Sequence, residues 1–125
     1  MNRQEMIQQV KKQLAIDLNC VVTDFDQPGI CFCQALDLPG RRPFPRKNPV
    51  FDMVTFGMGT IVSASERLLP RLRQQLGGLD RDSLWSQPFL CSLGHYFLPD
   101  PERLRHLPVP AGIRLEWSAR EQIKN

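Results

Sequence analysis

Residues 51–77 read as strand, turn, strand and helix, and that order sets most of what the chain can become. Residues 50–56 and 60–63 are short runs rich in aromatic and β-branched side chains, and Gly57-Met58-Gly59 lies between them. Runs of this kind around glycines form a hairpin, because Gly57 and Gly59 can take the positive φ that a tight turn needs. A phosphate cradle uses its glycines differently. It sets them between a strand and the following helix, so that the helix amides face the anion. Here the glycines join two strands, and Ser63-Ala64-Ser65 stands at the helix start as the one visible place for anion-binding amides. The helix carries Leu68, Leu69, Leu72 and Leu76 on one side and stops at Gly77-Gly78. Ser63 and Glu66 have capping-box spacing, with Ser65 as the alternative cap. Pro70 must occupy the first turn or kink the helix, since it has no amide to donate and crowds the preceding turn.

The N-terminal segment is a longer helix. Met6, Val10, Leu14 and Leu18 recur every four residues, and Ile7 widens the stripe into a core-facing side. Asn2 and Glu5 are spaced as a capping box. Lys11 and Lys12 lie toward the far end, where positive charge suits the helix dipole, and residues 17–19 close the helix. Gln27-Pro28-Gly29 is a turn signal. Residues 30–38 then read as a strand, with Ile30, Phe32 and Gln34 on one side and Cys31, Cys33 and Ala35 on the other. Both sides are mainly apolar, which implies cover on both faces. Of the 11 prolines, eight gather in residues 39–49 and 99–110, so these stretches must be irregular connections. Residues 83–86 suggest a single helical turn, and residues 89–98 an extended segment with Gly94 as a bulge. Residues 99–102 can start a short helix with Pro101 in its first position. A last strand at 113–117 and a helix start at 118–124 complete the chain. Helices at both ends with hairpin-linked strands between them predict an α+β domain, a mixed or antiparallel sheet with the N-terminal helix and the central helix packed on it.

A length of 125 residues suits one domain over residues 1–125, with a junction segment from about residue 118. The net charge is only +3, and the one local excess is Arg41, Arg42, Arg46 and Lys47 in the proline-rich loop. A nucleic-acid surface needs a basic stripe, preferably with exposed aromatics, so this loop is read as solvated and nucleic acid is not an expected partner. Arg3, Glu5, Lys11, Lys12 and Asp17 interrupt any signal-peptide core, and no apolar run approaches the roughly 20 residues that span a bilayer. The expectation is a cytoplasmic protein, without a membrane partner, whose four cysteines are reduced.

Cys31 and Cys33 share a strand face, and with Cys91 and His95 they could form a tetrahedral Cys3His zinc site. Their C-x-C spacing is tighter than a zinc knuckle's, and reduced cysteine is a common core residue, so no metal is expected. The C-x-x-C spacing of thiol redox catalysis is absent. His95 and Tyr96 are a pair suited to proton transfer, but neighbours on a strand point to opposite faces. No G-x-S-x-G elbow occurs, and Ser63 and Ser65 have work as caps. Asp24 and Asp26 lack the glycine and spacing of a calcium loop.

The order of motifs carries a resemblance. Asp17-Leu18-Asn19-Cys20 ends the first helix, and Gly40-Arg41-Arg42-Pro43-Phe44 follows. Then come residues 51–59 (FDMVTFGMG), Ser63-Ala64-Ser65-Glu66, residues 94–100 (GHYFLPD) and a closing Trp-containing segment. Nearly the whole chain resembles the N-terminal region of two-domain bacterial acetyltransferases of the GNAT superfamily, of the kind found in Gram-positive bacteria. The resemblance implies that acetyl-CoA belongs to a C-terminal domain marked by a Q/R-x-x-G-x-G/A loop. This sequence has Val54 where that loop needs Gln or Arg, so no cofactor is expected in the chain and no catalytic residue carries over. It implies as partner a catalytic GNAT domain, in cis or in trans, with a homodimer as another way to cover an exposed apolar patch. Arg41 and Arg42, with His95 and Tyr96, are the residues expected to touch substrate or partner. A stand-alone acyl-CoA-dependent N-acetyltransferase and a small metal- or nucleic-acid-binding module are the other readings.

Overall fold

The computed structural model describes residues 1–90, 94–103 and 111–112. Strands β1 (Gly29–Gln34), β2 (Phe51–Phe56) and β3 (Gly59–Ala64) form one mixed sheet in the order β1-β3-β2. β3 pairs antiparallel with β2, Phe56 opposite Gly59, and parallel with β1, Gly29 opposite Gly59. As the central strand it is buried along its whole length.

Alternation along β3 feeds two separate cores. Val62 and Ala64, with Ile30, Phe32, Phe51 and Met53 from the neighbouring strands, pack on α2 (Leu69–Leu76) and α3 (Arg81–Trp85) through Leu69, Leu72, Leu76 and Leu84. Ile61, with Cys31, Cys33, Val54 and Phe56, packs on α1 (Arg3–Leu18) and a 3-10 helix at Val22–Asp26 through Leu14, Leu18 and Phe25. Full burial of a side chain such as Leu76, which has no exposed surface, contributes about 1.5–3 kcal/mol. The result is an α+β domain with its sheet held between helices. Among the described residues, no helix is long and apolar enough to cross a membrane.

The helix ends follow the sequence closely. The Glu5 amide donates to Asn2 Oδ1 at 2.8 Å, and the Asn2 amide donates back to Glu5 Oε2 at 3.3 Å. Asn19 ends α1 in the left-handed region at φ 60°, a conformation that asparagine tolerates better than most residues. Pro70 sits in the first turn of α2, where its missing amide breaks no intrahelical bond. Residues 81–85 make the short helical turn expected near 83–86.

Other expectations are corrected. α1 is rotated, so that Lys11, Ala15 and Leu18 are buried while Met6, Val10 and Leu14 are only half-buried. β1 stops at Gln34 rather than residue 38. The Ala35 amide still reaches Ala64 O at 2.8 Å, but β3 ends there and leaves nothing further to pair with. Ser63 and Ala64 belong to β3, and a 3-10 helix at Glu66–Leu68 leads into α2, so Ser63 and Glu66 form no capping box. Ser65 is no side-chain cap either, because its Oγ accepts the Val50 amide at 2.8 Å. Of the extended segment expected at 89–98, residue 89 lies in a turn and 94–98 are irregular backbone, while 91–93 lie outside the described residues. Residues 99–102 make one turn, closed by the Arg103 amide on Asp100 O, instead of a helix. The strand and helix expected at 113–117 and 118–124 lie outside the described residues.

Candidate functional site

The glycine turn is not a phosphate cradle, since it joins two strands rather than a strand and a helix. Only Gly57 takes positive φ, at 65°. The Met58 amide donates to Phe25 O at 3.0 Å, and Arg81 Nη2 donates to Gly57 O at 2.9 Å. Gly59 is needed for proximity: a Cβ there would lie 2.4 Å from Asp24 O and 2.9 Å from Gln27 O. The second candidate for anion-binding amides fares no better, since the Ser65 amide donates to Val50 O at 2.9 Å.

The arginine loop is part of the fold. Asp17, buried beside it, accepts from Gln13 Nε2 at 2.8 Å, from the Arg42 amide at 2.9 Å and from Arg42 Nε at 2.6 Å. Burial pushes the Asp17 pKa up, but these hydrogen bonds and the Arg42 charge outweigh it and hold the carboxylate below its ordinary value. Arg46 Nη2 donates to Asp17 O at 2.7 Å, against the C-terminal end of α1, and Arg46 lies 3.4 Å from Asp52. The Arg41 side chain is only 9% exposed and donates to Phe44 O at 3.1 Å. Charged residues in this loop therefore hold it to the fold, and the loop read as solvated from the sequence is partly packed against the end of α1. Arg42 keeps a half-exposed guanidinium 4.8 Å above the Phe44 ring.

Cys31 and Cys33 do share one face of β1, and Cys20 joins them in the core under α1. Cys33 Sγ and Ser63 Oγ both donate to Leu18 O, at 3.1 and 2.6 Å. Burial first, then Cys33, Asp24 and Cys31, pushes the Cys20 thiol up to about 12. Burial first, then Asp24 and Cys33, pushes Cys31 up to about 11. Thiols held so firmly protonated are poor nucleophiles. Among the described residues, no three His, Cys, Asp or Glu side chains are arranged to hold a metal ion. Cys91 of the zinc alternative lies outside them. His95 and Tyr96 sit on irregular, exposed backbone, with Tyr96 95% and Phe97 90% exposed.

The feature that periodicity missed is a groove of about 340 Å³ between the N-terminal half of α1, the β2-β3 turn and residues 98–99. Met6, Ile7, Phe56, Leu98 and Pro99 give it apolar walls, Lys11 lies in it and Arg3 stands at its rim. Arg3 also fixes one wall, donating through Nη2 to Asp100 Oδ2 at 2.7 Å and through Nε to Asp100 Oδ1 at 3.3 Å. The Lys11 side chain is 11% exposed, and its Nζ donates to Asp26 Oδ1 at 2.6 Å. A signal for Lys11 was present in the chain. It stands four residues from Ile7, four from Ala15 and seven from Leu18, in phase with the side of α1 that the fold buries. Comparison of the chain with protein-family models, with curated proteins and with solved structures returned no match.

Proposed function

We propose that this chain is the noncatalytic N-terminal module of a bacterial GNAT-like acetyltransferase, packing on a catalytic domain in cis or in trans and helping to shape its acceptor cleft. Supporting the reading is the way Gly57-Met58-Gly59 is built: the turn joins two strands, its Met58 amide is committed to Phe25 O and its Gly57 carbonyl accepts from Arg81. A pyrophosphate needs such amides free and at a helix start, so acetyl-CoA falls to the partner domain. Tyr96 and Phe97, almost fully exposed beside the half-exposed Leu98, supply apolar surface of the kind that interdomain or subunit contacts cover. The reading carries with it a cytoplasmic location.

The test has two parts. The natural reading frame is expected to continue past residue 125 into a Q/R-x-x-G-x-G/A segment, or a neighbouring frame to encode one. Isothermal titration should then show saturable binding of that catalytic domain to this chain, and no heat with acetyl-CoA up to millimolar concentration. Acetyl-CoA binding to the isolated chain would overturn the noncatalytic assignment, and a silent titration with the catalytic domain would overturn the docking.

A further inference from the structure

We propose that the groove beside α1 binds a small carboxylate with an apolar tail, its head on the Lys11 ammonium and its tail between Ile7 and Phe56. The proposal does not rest on the GNAT reading. At about 340 Å³ the groove is at the small end of ligand pockets, which run from about 300 to 1,000 Å³ and combine apolar walls with a few placed polar groups. Its lining holds two cations, Arg3 and Lys11; Arg3 is committed to Asp100 and Glu102, so the head group falls to Lys11. An anionic head on an apolar body is the complement of that lining.

The donor capacity sits at Lys11. An ammonium has three N–H donors. Among the described residues Lys11 Nζ has one acceptor, Asp26 Oδ1 at 2.6 Å, so two donors are uncommitted on a side chain that is 11% exposed. Asp26 is 51% exposed and can share the ammonium with a second carboxylate or turn to water.

Octanoate is the probe, below its micelle concentration, followed by amide NMR shifts on the full chain, with octan-1-ol and octylammonium as controls. Octanoate is expected to move Ile7, Lys11, Phe56 and Gly57, with octanol at least tenfold weaker and octylammonium inert. Lys11→Met, which keeps the aliphatic stem, should weaken octanoate at least tenfold. Asp26→Asn removes the competing carboxylate and should tighten it severalfold, so the proposal stays testable even if Lys11→Met does not fold. Equal binding of octanol, shifts mapping elsewhere, weaker octanoate binding by Asp26→Asn or no binding at all would each overturn it. So would octanoate binding that appears only with anionic lipid vesicles present.

Discussion

Asp17 is 7% exposed, yet both of its carboxylate oxygens and its carbonyl accept hydrogen bonds, from Gln13, Arg42 and Arg46. One aspartate thereby ties the end of α1 to a loop more than twenty residues away. Asp17→Asn keeps an oxygen for Gln13 and the Arg42 amide but loses the charge facing the Arg42 guanidinium, which is 47% exposed. The expected loss is about 1–3 kcal/mol at neutral pH, the range for a buried group that loses its hydrogen-bond partner. The pH dependence has a definite sign. A carboxylate whose pKa is lowered by folding stabilises the fold above its unfolded value, about 3.9, and that stability is lost as pH falls through the lower folded value. Urea titrations of the two proteins should therefore differ most above pH 5 and converge as pH drops below 4. A gap that stays constant across that range would remove the Asp17 charge from the account.

At the scale of elements, the hairpin and the end of α1 separate what the sequence makes legible from what it does not. The caps at Asn2 and Glu5 and the strand-turn-strand order could be read directly, because each depends on neighbours a few residues apart. Ser63 could not. Its Oγ meets Leu18 O from 45 residues away, and only packing decides that a serine before a helix belongs to the preceding strand. The same holds for Gly59, whose need for glycine comes from Asp24 and Gln27 rather than from its own φ. The two turn glycines should thus respond differently to substitution. Gly57→Ala places a side chain at φ 65°, with its Cβ 3.1 Å from Phe25 O, and costs about 1–2 kcal/mol, of which Gly57→Asn should recover the φ part alone. Gly59→Ala meets backbone oxygens that cannot move aside and costs about 2–3 kcal/mol, with Gly59→Asn at least as bad. Leu18 O, held by two donors, gives a second expectation. Ser63→Ala and Cys33→Ala should each be mild, about 1 kcal/mol, while the double variant exceeds their sum by about 1 kcal/mol because the carbonyl loses both partners. Additive losses in thermal or urea melts would show that the two donors act independently.

For the molecule as a whole, the decisive fact is that β3 is a wall shared by both cores. Val62 and Ala64 belong to the α2-α3 side and Ile61 to the α1 side, on a strand buried from Gly59 to Ala64. Neither layer can separate from the sheet without exposing a face of that strand, so the two sides should unfold together. Each side carries its own reporter. Trp85 donates through Nε1 to Thr55 Oγ1 at 2.8 Å on the α2-α3 side, and Cys20, Cys31 and Cys33 lie in the core under α1. In a Trp117→Phe background, Trp85 fluorescence is expected to change at the same urea midpoint at which pulse alkylation of the three cysteines begins, resolved peptide by peptide. The protonated state of Cys20 and Cys31 keeps labelling of the folded protein slow near pH 8, which gives the measurement its contrast. Cysteine labelling that rises well before the fluorescence change would mean that α1 and the 3-10 helix peel from the sheet as a separate unit, and β3 would then be a boundary between two foldons rather than the wall that joins them.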